Sequence, residues 1–211
     1  MPEFMEKDTS RHGSTSPQQS AGLIQMSRQS VINLGIHALH EIGTDSICRV
    51  CIASGGSCCQ GCRHLANGIG CQLRNTSCTA WLCGFLRFFL YEIDLLQEWN
   101  DFWEQVPGQD FREDFTPEVF FVTKLLHLPD LRKLSEALAG DLLELAQSDM
   151  PNRSILILRE KMDKQIDQLD ECQRNWKKKM KIKRNIKVLS RSFPRFQKEA
   201  REYRQRFPVS E

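Results

Sequence analysis

SILILREKMDKQIDQLDECQRNWKKKM, residues 154–180, sets apolar side chains at Leu158, Met162, Ile166, Leu169, Cys172, Trp176 and Met180. The spacings of 4, 4, 3, 3, 4 and 4 keep them on one face of an α-helix. They predict an amphipathic helix of about seven turns, continuing through Ile186 and Leu189. Pro194 breaks the pattern, and a short basic helix is expected from there to Phe207. Cys172 falls on the apolar stripe and is expected to be a core thiol.

Upstream segments give the same period. Pro129-Asp130 opens a helix expected to reach about Ser148, and Thr116-Pro117-Glu118 supplies a cap and first turn for another, to about His127. A helix from about Thr79 to Val106 carries Trp81, Phe85, Phe88, Phe89, Ile93, Leu96, Trp99 and Trp103, and ends at Pro107-Gly108. Between Ala21 and Gly43, Leu23, Ile24, Val31, Leu34, Ala38 and Ile42 recur at helical spacing. No internal repeat and no alternating strand pattern stands out. The expected class is all-α: a helical bundle with an irregular cysteine-rich metal-binding knot and a long basic C-terminal helix. The expected organisation is a disordered tail over 1–21, a helical domain over 22–150 containing the knot (44–83), and an amphipathic basic segment over 151–211.

The chain has 211 residues, 40% hydrophobic and 27% charged, which supports a packed core. No run of about 18 apolar residues occurs, so no transmembrane helix is expected. The N-terminus, MPEFMEKDTSRHGSTSPQQS, is polar and lacks the apolar stretch of a signal peptide, which makes the cytoplasm the expected location.

Eight of the nine cysteines lie between Cys48 and Cys83. They are Cys48, Cys51, Cys58, Cys59, Cys62, Cys71, Cys78 and Cys83, with His64 two residues after Cys62. Cys-x-x-Cys pairs at 48/51 and 59/62 let two thiolates face one metal from a single turn, the usual ligand spacing for zinc or an iron–sulfur cluster. Zinc is the expected cofactor, with an iron–sulfur cluster the alternative. A disulfide framework is the competing reading, opposed by the absent signal peptide, the chain length and the helices that already supply a core. His37 and His40, three apart on the first helix, are further candidate donors.

The order Cys-x-x-Cys, Cys-Cys, Cys-x-His-Leu, Gly-Cys, arginine, Cys and a last Cys resembles the zinc- or iron-chelating cysteine-cluster family that includes relatives of flagellin lysine N-methylase. The resemblance covers residues 48–83 and implies that those eight cysteines bind metal. This chain departs from the family pattern at Arg74-Asn75, where an Arg-Pro pair is usual, and in the length of the gap from Cys51 to Cys58.

Charge is divided unevenly. Residues 1–150 hold 11 Lys+Arg against 19 Asp+Glu, whereas residues 151–211 hold 18 against 8. Lys177, Lys178, Lys179, Lys181, Lys183, Arg184, Lys187 and Arg191 crowd one segment, interleaved with Trp176, Phe193, Phe196, Tyr203 and Phe207. Cations neutralise phosphates while aromatics stack on bases, so RNA or single-stranded DNA is a candidate partner. An acidic protein, within a larger complex, is another. The alternative is internal: an acidic helical layer packs against a basic one, or the face is merely solvated.

No nucleophile elbow, phosphate-binding glycine loop or zinc-protease histidine pair is present. A catalytic metal needs an open coordination position, and so many thiols favour closed, structural coordination. The expected function is therefore a metal-binding helical interaction protein rather than an enzyme. The alternative is an iron–sulfur redox or radical enzyme like the N-methylase relatives.

Overall fold

In the computed structural model the chain enters as a strand, β1 (Ile24–Ser27), before its first helix, α1 (Arg28–Glu41). The structure describes residues 22–58, 62–66, 70–71, 73–110, 113–148, 154–172 and 175–207; the segment 1–21 and Cys59 lie outside the described residues. Ser27 separates the two elements. Its hydroxyl accepts from Ser30 N, and the Ser30 hydroxyl accepts from Ser27 N, a reciprocal cap that starts α1 at Arg28, five residues after Leu23. The helix expected from Ala21 is shortened accordingly.

A second helix, α2 (Thr44–Ala53), occupies what the sequence suggested was loop, so Cys48 and Cys51 sit on a helix. Gly43 makes the turn between α1 and α2 at φ 77°. Two short strands follow, β2 (Leu65–Ala66) and β3 (Gly70–Cys71), paired antiparallel.

The single helix expected from Thr79 to Val106 is three: α3 (Thr76–Ala80), α4 (Gly84–Glu92) and α5 (Leu96–Glu104). Asn75 caps α3 through Cys78 N, and the chain turns extended at Trp81. Asp94, at φ 59°, closes α4 with Leu95 N donating to Leu90 O at 2.9 Å, the left-handed helix ending that aspartate tolerates.

Beyond α5, β4 (Gln109–Asp110) pairs with β5 (Glu113–Asp114). The helix expected from Thr116 is instead strand β6 (Val119–Val122), antiparallel to β1 with Met26 opposite Phe120. Its sequence, VFFV, is β-branched and aromatic, which suits a pleated half-buried surface. Thr116 does not cap a helix; its buried hydroxyl meets that of Thr76 at 2.7 Å.

The remaining helices are α6 (Arg132–Gln147), α7 (Ser154–Glu171), α8 (Trp176–Leu189) and α9 (Pro194–Arg206). The seven-turn helix expected across Leu158–Met180 is therefore broken. Asn175 starts α8 by accepting from Lys178 N at 3.1 Å. α8 then folds back along α7, and Asn185 donates to Gln165 at 2.9 Å. Folding back lets Ile182 and Ile186 join Met162 and Ile166 in the core, burial that a straight helix would forgo.

The class is all-α, as expected, with short strands in antiparallel pairs, of which β1–β6 lends Met26, Phe120 and Val122 to the core. α4 is the pivot. Phe85, Phe88 and Phe89 are fully buried, and Phe88 stacks against Phe193 (5.5 Å) and Phe196 (5.6 Å) at the approach to α9. The first turn of α4 rests on the α7 backbone. A Cβ at Gly84 would overlap the Arg159 carbonyl, so glycine permits the approach. Arg87 then pairs with Asp163, Asp167 and Asp170 along α7. Asp141 of α6 caps α9, accepting from Phe196 N at 2.9 Å and Arg195 N at 3.3 Å. Among the described residues no helix is long and apolar enough to cross a membrane.

Candidate metal centre and basic face

Helical geometry puts Cys48 and Cys51 one turn apart on α2, facing the start of α4. After α2 the chain doubles back: Gly56 N donates to Cys51 O at 2.9 Å, and Gly56 lies so close to the Cys51 sulfur that a side chain there would collide with it. This turn carries Cys58 to Cys83, the residue that precedes α4. Cys58 is exposed as a residue, yet its sulfur turns inward and donates to Cys83.

A cavity of about 190 Å³ gathers Cys48, Cys58, Cys62, Cys78 and Cys83. Ile36 and Leu39 of α1, Leu86 of α4 and Trp81 form its apolar wall. Trp81 is half-open at 42% exposure and forms the cavity wall, whereas Phe85, Phe88 and Phe89 of the same aromatic run are core. Cys51 stands beside the cavity, with Arg159 Nη1 of α7 donating to its sulfur at 3.6 Å.

The thiols act on one another. Burial, above all, and then the neighbouring Cys83, Cys51 and Asp45 push Cys48 up to about 12. Donation of its proton to Cys83, followed by burial, pushes Cys58 up as well. Cys83 moves the other way, down to about 7. The Cys58 hydrogen bond leads, and backbone N–H groups of Leu86 and Phe85 at the start of α4 and the Arg159 charge assist it against burial. Of the pair, Cys83 is the thiol whose ionisation the surroundings favour. Cys51 is raised by burial, opposed by Arg159.

Such a set suits a soft or borderline dication. One thiolate is already favoured; Cys48 and Cys51 resist ionising chiefly through burial and Cys58 chiefly through its hydrogen bond to Cys83, costs that a dication offsets. Cys48, Cys51, Cys58, Cys62 and Cys83 are free thiols. Among the described residues no group of three or more His, Cys, Asp or Glu side chains stands at ligating separation. Cys59 lies outside the described residues, and Cys71 enters through its backbone pairing with Leu65.

His64 sits on a turn and accepts from Arg63 at 3.2 Å rather than lining the cavity. His40 does line it, 3.8 Å from Asp45, while His37 faces out. Arg74, the arginine of the cysteine motif, also lines the cavity, as does Asp45, which like Arg159 carried no role in the sequence reading. Asp45 is three residues before Cys48, a signal legible once α2 is known to be helical. Arg159 lies 108 residues from Cys51 and has no sequence signal.

Away from the cavity lining, Lys177, Lys178, Lys179, Lys181, Lys183, Arg184 and Lys187 are exposed on α8, and Arg191 is exposed just beyond it. Among the described residues none of these eight enters an ion pair. The acidic partners are taken elsewhere: Asp163, Asp167 and Asp170 by Arg87, Glu144 by Arg195, Glu199 by Lys133 and Glu92 by Arg204. The internal pairing of acidic and basic layers thus holds for α9 and not for α8. The interleaved aromatics divide as well. Phe193 and Phe196 are fully buried and unavailable for stacking, whereas Trp176 is 68% exposed on the cationic helix, with Met180 one turn on.

No family model, curated protein or solved structure matches the chain.

Proposed function

We propose that this protein is a zinc-stapled helical module, part of a larger assembly, that binds single-stranded nucleic acid, RNA or DNA, through the face of α8. The observation that carries the reading is the unpaired cationic face itself. Seven lysines and arginines on α8 and Arg191 beyond it project into solvent with no internal anion among the described residues, beside the exposed indole of Trp176. Cations left unpaired cost little in water and gain by releasing counterions from a phosphate backbone. An exposed tryptophan adds a stacking surface that every base can use.

Zinc would be held by thiolates drawn from Cys48, Cys51, Cys58, Cys62, Cys78 and Cys83, with Cys59 and Cys71 completing the sequence cluster and His40 a nearer nitrogen donor than His64. Bound there, it supplies a closed structural crosslink rather than a reaction centre. The chain's own residues prepare the site: the start of α4 and Arg159 favour the Cys83 thiolate, and α2 presents Cys48 and Cys51 on one face. Thiolate ligands belong in a reducing compartment, and we place the protein in the cytoplasm. An acidic protein would use the same cations, but the exposed Trp176 favours a stacking partner.

The test is a gel shift with single-stranded RNA and DNA across a salt series. Binding is expected to weaken steeply as salt rises, with the slope counting the phosphates engaged. Lys178→Glu/Lys181→Glu/Lys183→Glu should weaken binding to all sequences alike, because phosphate contacts carry no base information. The melting transition should stay at the parent value. No shift by the parent protein at low salt would remove nucleic acid and leave the acidic protein partner.

A further inference from the structure

Where the C-terminal end of α4 meets the crossing of α8 and α9, a polar cleft of about 430 Å³ opens, sharing no residue with the cysteine cavity. Lys183 and Lys187, one turn apart on α8, reach it from one side, and Arg201 and Arg204 of α9 from the other. Glu92 is the carboxylate in its lining, and it is engaged. Arg204 Nη1 donates to the Glu92 carbonyl oxygen at 2.7 Å and lies 3.6 Å from the carboxylate. Lys183, Lys187 and Arg201 form no ion pair among the described residues; Arg201 Nε donates to the carbonyl oxygen of Gln197 at 3.2 Å.

Three cations thus converge on a recess whose floor is the buried Ile186. A concave wall of one sign over apolar packing focuses the field and raises the local concentration of counter-charge. The chemistry of the wall narrows what that counter-charge is. Lysines act as point charges and an arginine as a planar fork on phosphate oxygens. The phenol of Tyr91 lines the same recess as a neutral donor. A carboxylate would leave most of the positive charge unanswered, whereas a dianion answers two of the three. The volume falls within the roughly 300–1,000 Å³ of small-molecule sites and exceeds what one phosphoryl group fills, so the anion carries an organic body.

We infer that this cleft binds a phosphate monoester, with Lys183, Lys187 and Arg201 on its phosphoryl oxygens. Two sources offer that group: a free mononucleotide-sized ester, and the terminal 5′-phosphate of a nucleic-acid strand. Arg201 belongs to α9 and lies outside the cationic face of α8, so the cleft can be tested apart from that face.

The experiment is isothermal titration of the full-length protein with adenosine 5′-monophosphate, with adenosine, and with one single-stranded DNA carrying either a 5′-phosphate or a 5′-hydroxyl. Saturable binding that requires the phosphate is expected, weakened about tenfold or more by Arg201→Gln and by Lys187→Gln, the loss of one charge-assisted contact each. Arg201 is exposed, and its substitution should leave the melting transition unmoved, which separates lost binding from lost fold. Tight binding of the mononucleotide with no gain from the 5′-phosphate on DNA identifies the free ester. A gain from the 5′-phosphate with weak mononucleotide binding identifies the strand end. If neither phosphorylated probe binds better than its unphosphorylated control, or if Arg201→Gln binds like the parent, the cleft is not a phosphate site. Lys183 and Lys187 serve both surfaces, so Arg201→Gln separates them: binding of the 5′-hydroxyl strand should be unchanged in it, and either proposal can fail without the other.

Discussion

Asp114 connects the middle of the chain to the wall of the cysteine cavity. Its carboxylate accepts from Thr76 N (3.0 Å), Thr76 Oγ1 (2.7 Å) and Thr116 N (3.0 Å), and Ser77, beside Thr76, lines the cavity. Burial opposes ionisation of Asp114, but the hydrogen bonds from Thr76 and Thr116 together outweigh it and hold the carboxyl below its usual range. A depressed carboxyl contributes stability above its unfolded-state pKa and loses it as pH falls through the folded one. Asp114→Ala should therefore cost about 1–3 kcal/mol at neutral pH, where it strands partly buried donors. The gap to the parent should shrink as pH falls below the folded-state value. Urea unfolding of both proteins across an acid series checks this. A gap independent of pH would mean that the carboxylate charge contributes nothing.

At the scale of elements, α4 does most of the joining. It rests on α7 through Gly84 and Arg87, meets the approach to α9 through its phenylalanines, and begins directly after Cys83. Phe88 is fully buried between Phe193 and Phe196, so Phe88→Ala should cost about 3–5 kcal/mol. The same substitution at the exposed Trp176 should move stability by less than about 0.5 kcal/mol, because no core contact is lost. Denaturant midpoints of the two variants decide the matter; equal effects would mean that the aromatic seam between α4 and α9 is not the main joint of the fold.

For the whole molecule, the cysteine cavity and the cationic face lie on different elements, with the α4 core between them. If zinc staples the first, its removal should loosen α2, α3 and the start of α4 while leaving α8 folded, since metal binding to gathered thiolates is folding free energy. Chelation is expected to lower the melting transition, and Cys83→Ser should lose the metal without chelator. Cys172→Ala is the control: that thiol is buried in the core away from the cavity, so the variant should keep its metal and lose about 1 kcal/mol of packing. Elemental analysis of the purified proteins checks both. Metal retained by Cys83→Ser would overturn the site, and iron with visible absorbance would replace zinc with the iron–sulfur alternative.

The sequence by itself determined the helical class, the core thiol at Cys172, the short basic helix after Pro194 and the clustering of cysteines, because each is written in local spacing. It did not determine where the helices break. The run from Leu158 to Met180 reads as one stripe, yet burying Ile182 and Ile186 against α7 required a turn at Asn175, and that gain exists only in three dimensions. Val119–Val122 lacked a visible partner until β1 paired with it across the chain. The surroundings of the thiols were hidden for the same reason. Cys48 and Cys51 were legible as a pair, but Arg159 reaches Cys51 from 108 residues away, and Cys83 owes its depressed pKa to Cys58 and to the start of a helix the sequence had drawn as continuous. The basic face was legible as composition. Tertiary structure decided which aromatics stay in water and which cations keep no internal partner, because burial and pairing depend on neighbours that sequence distance conceals.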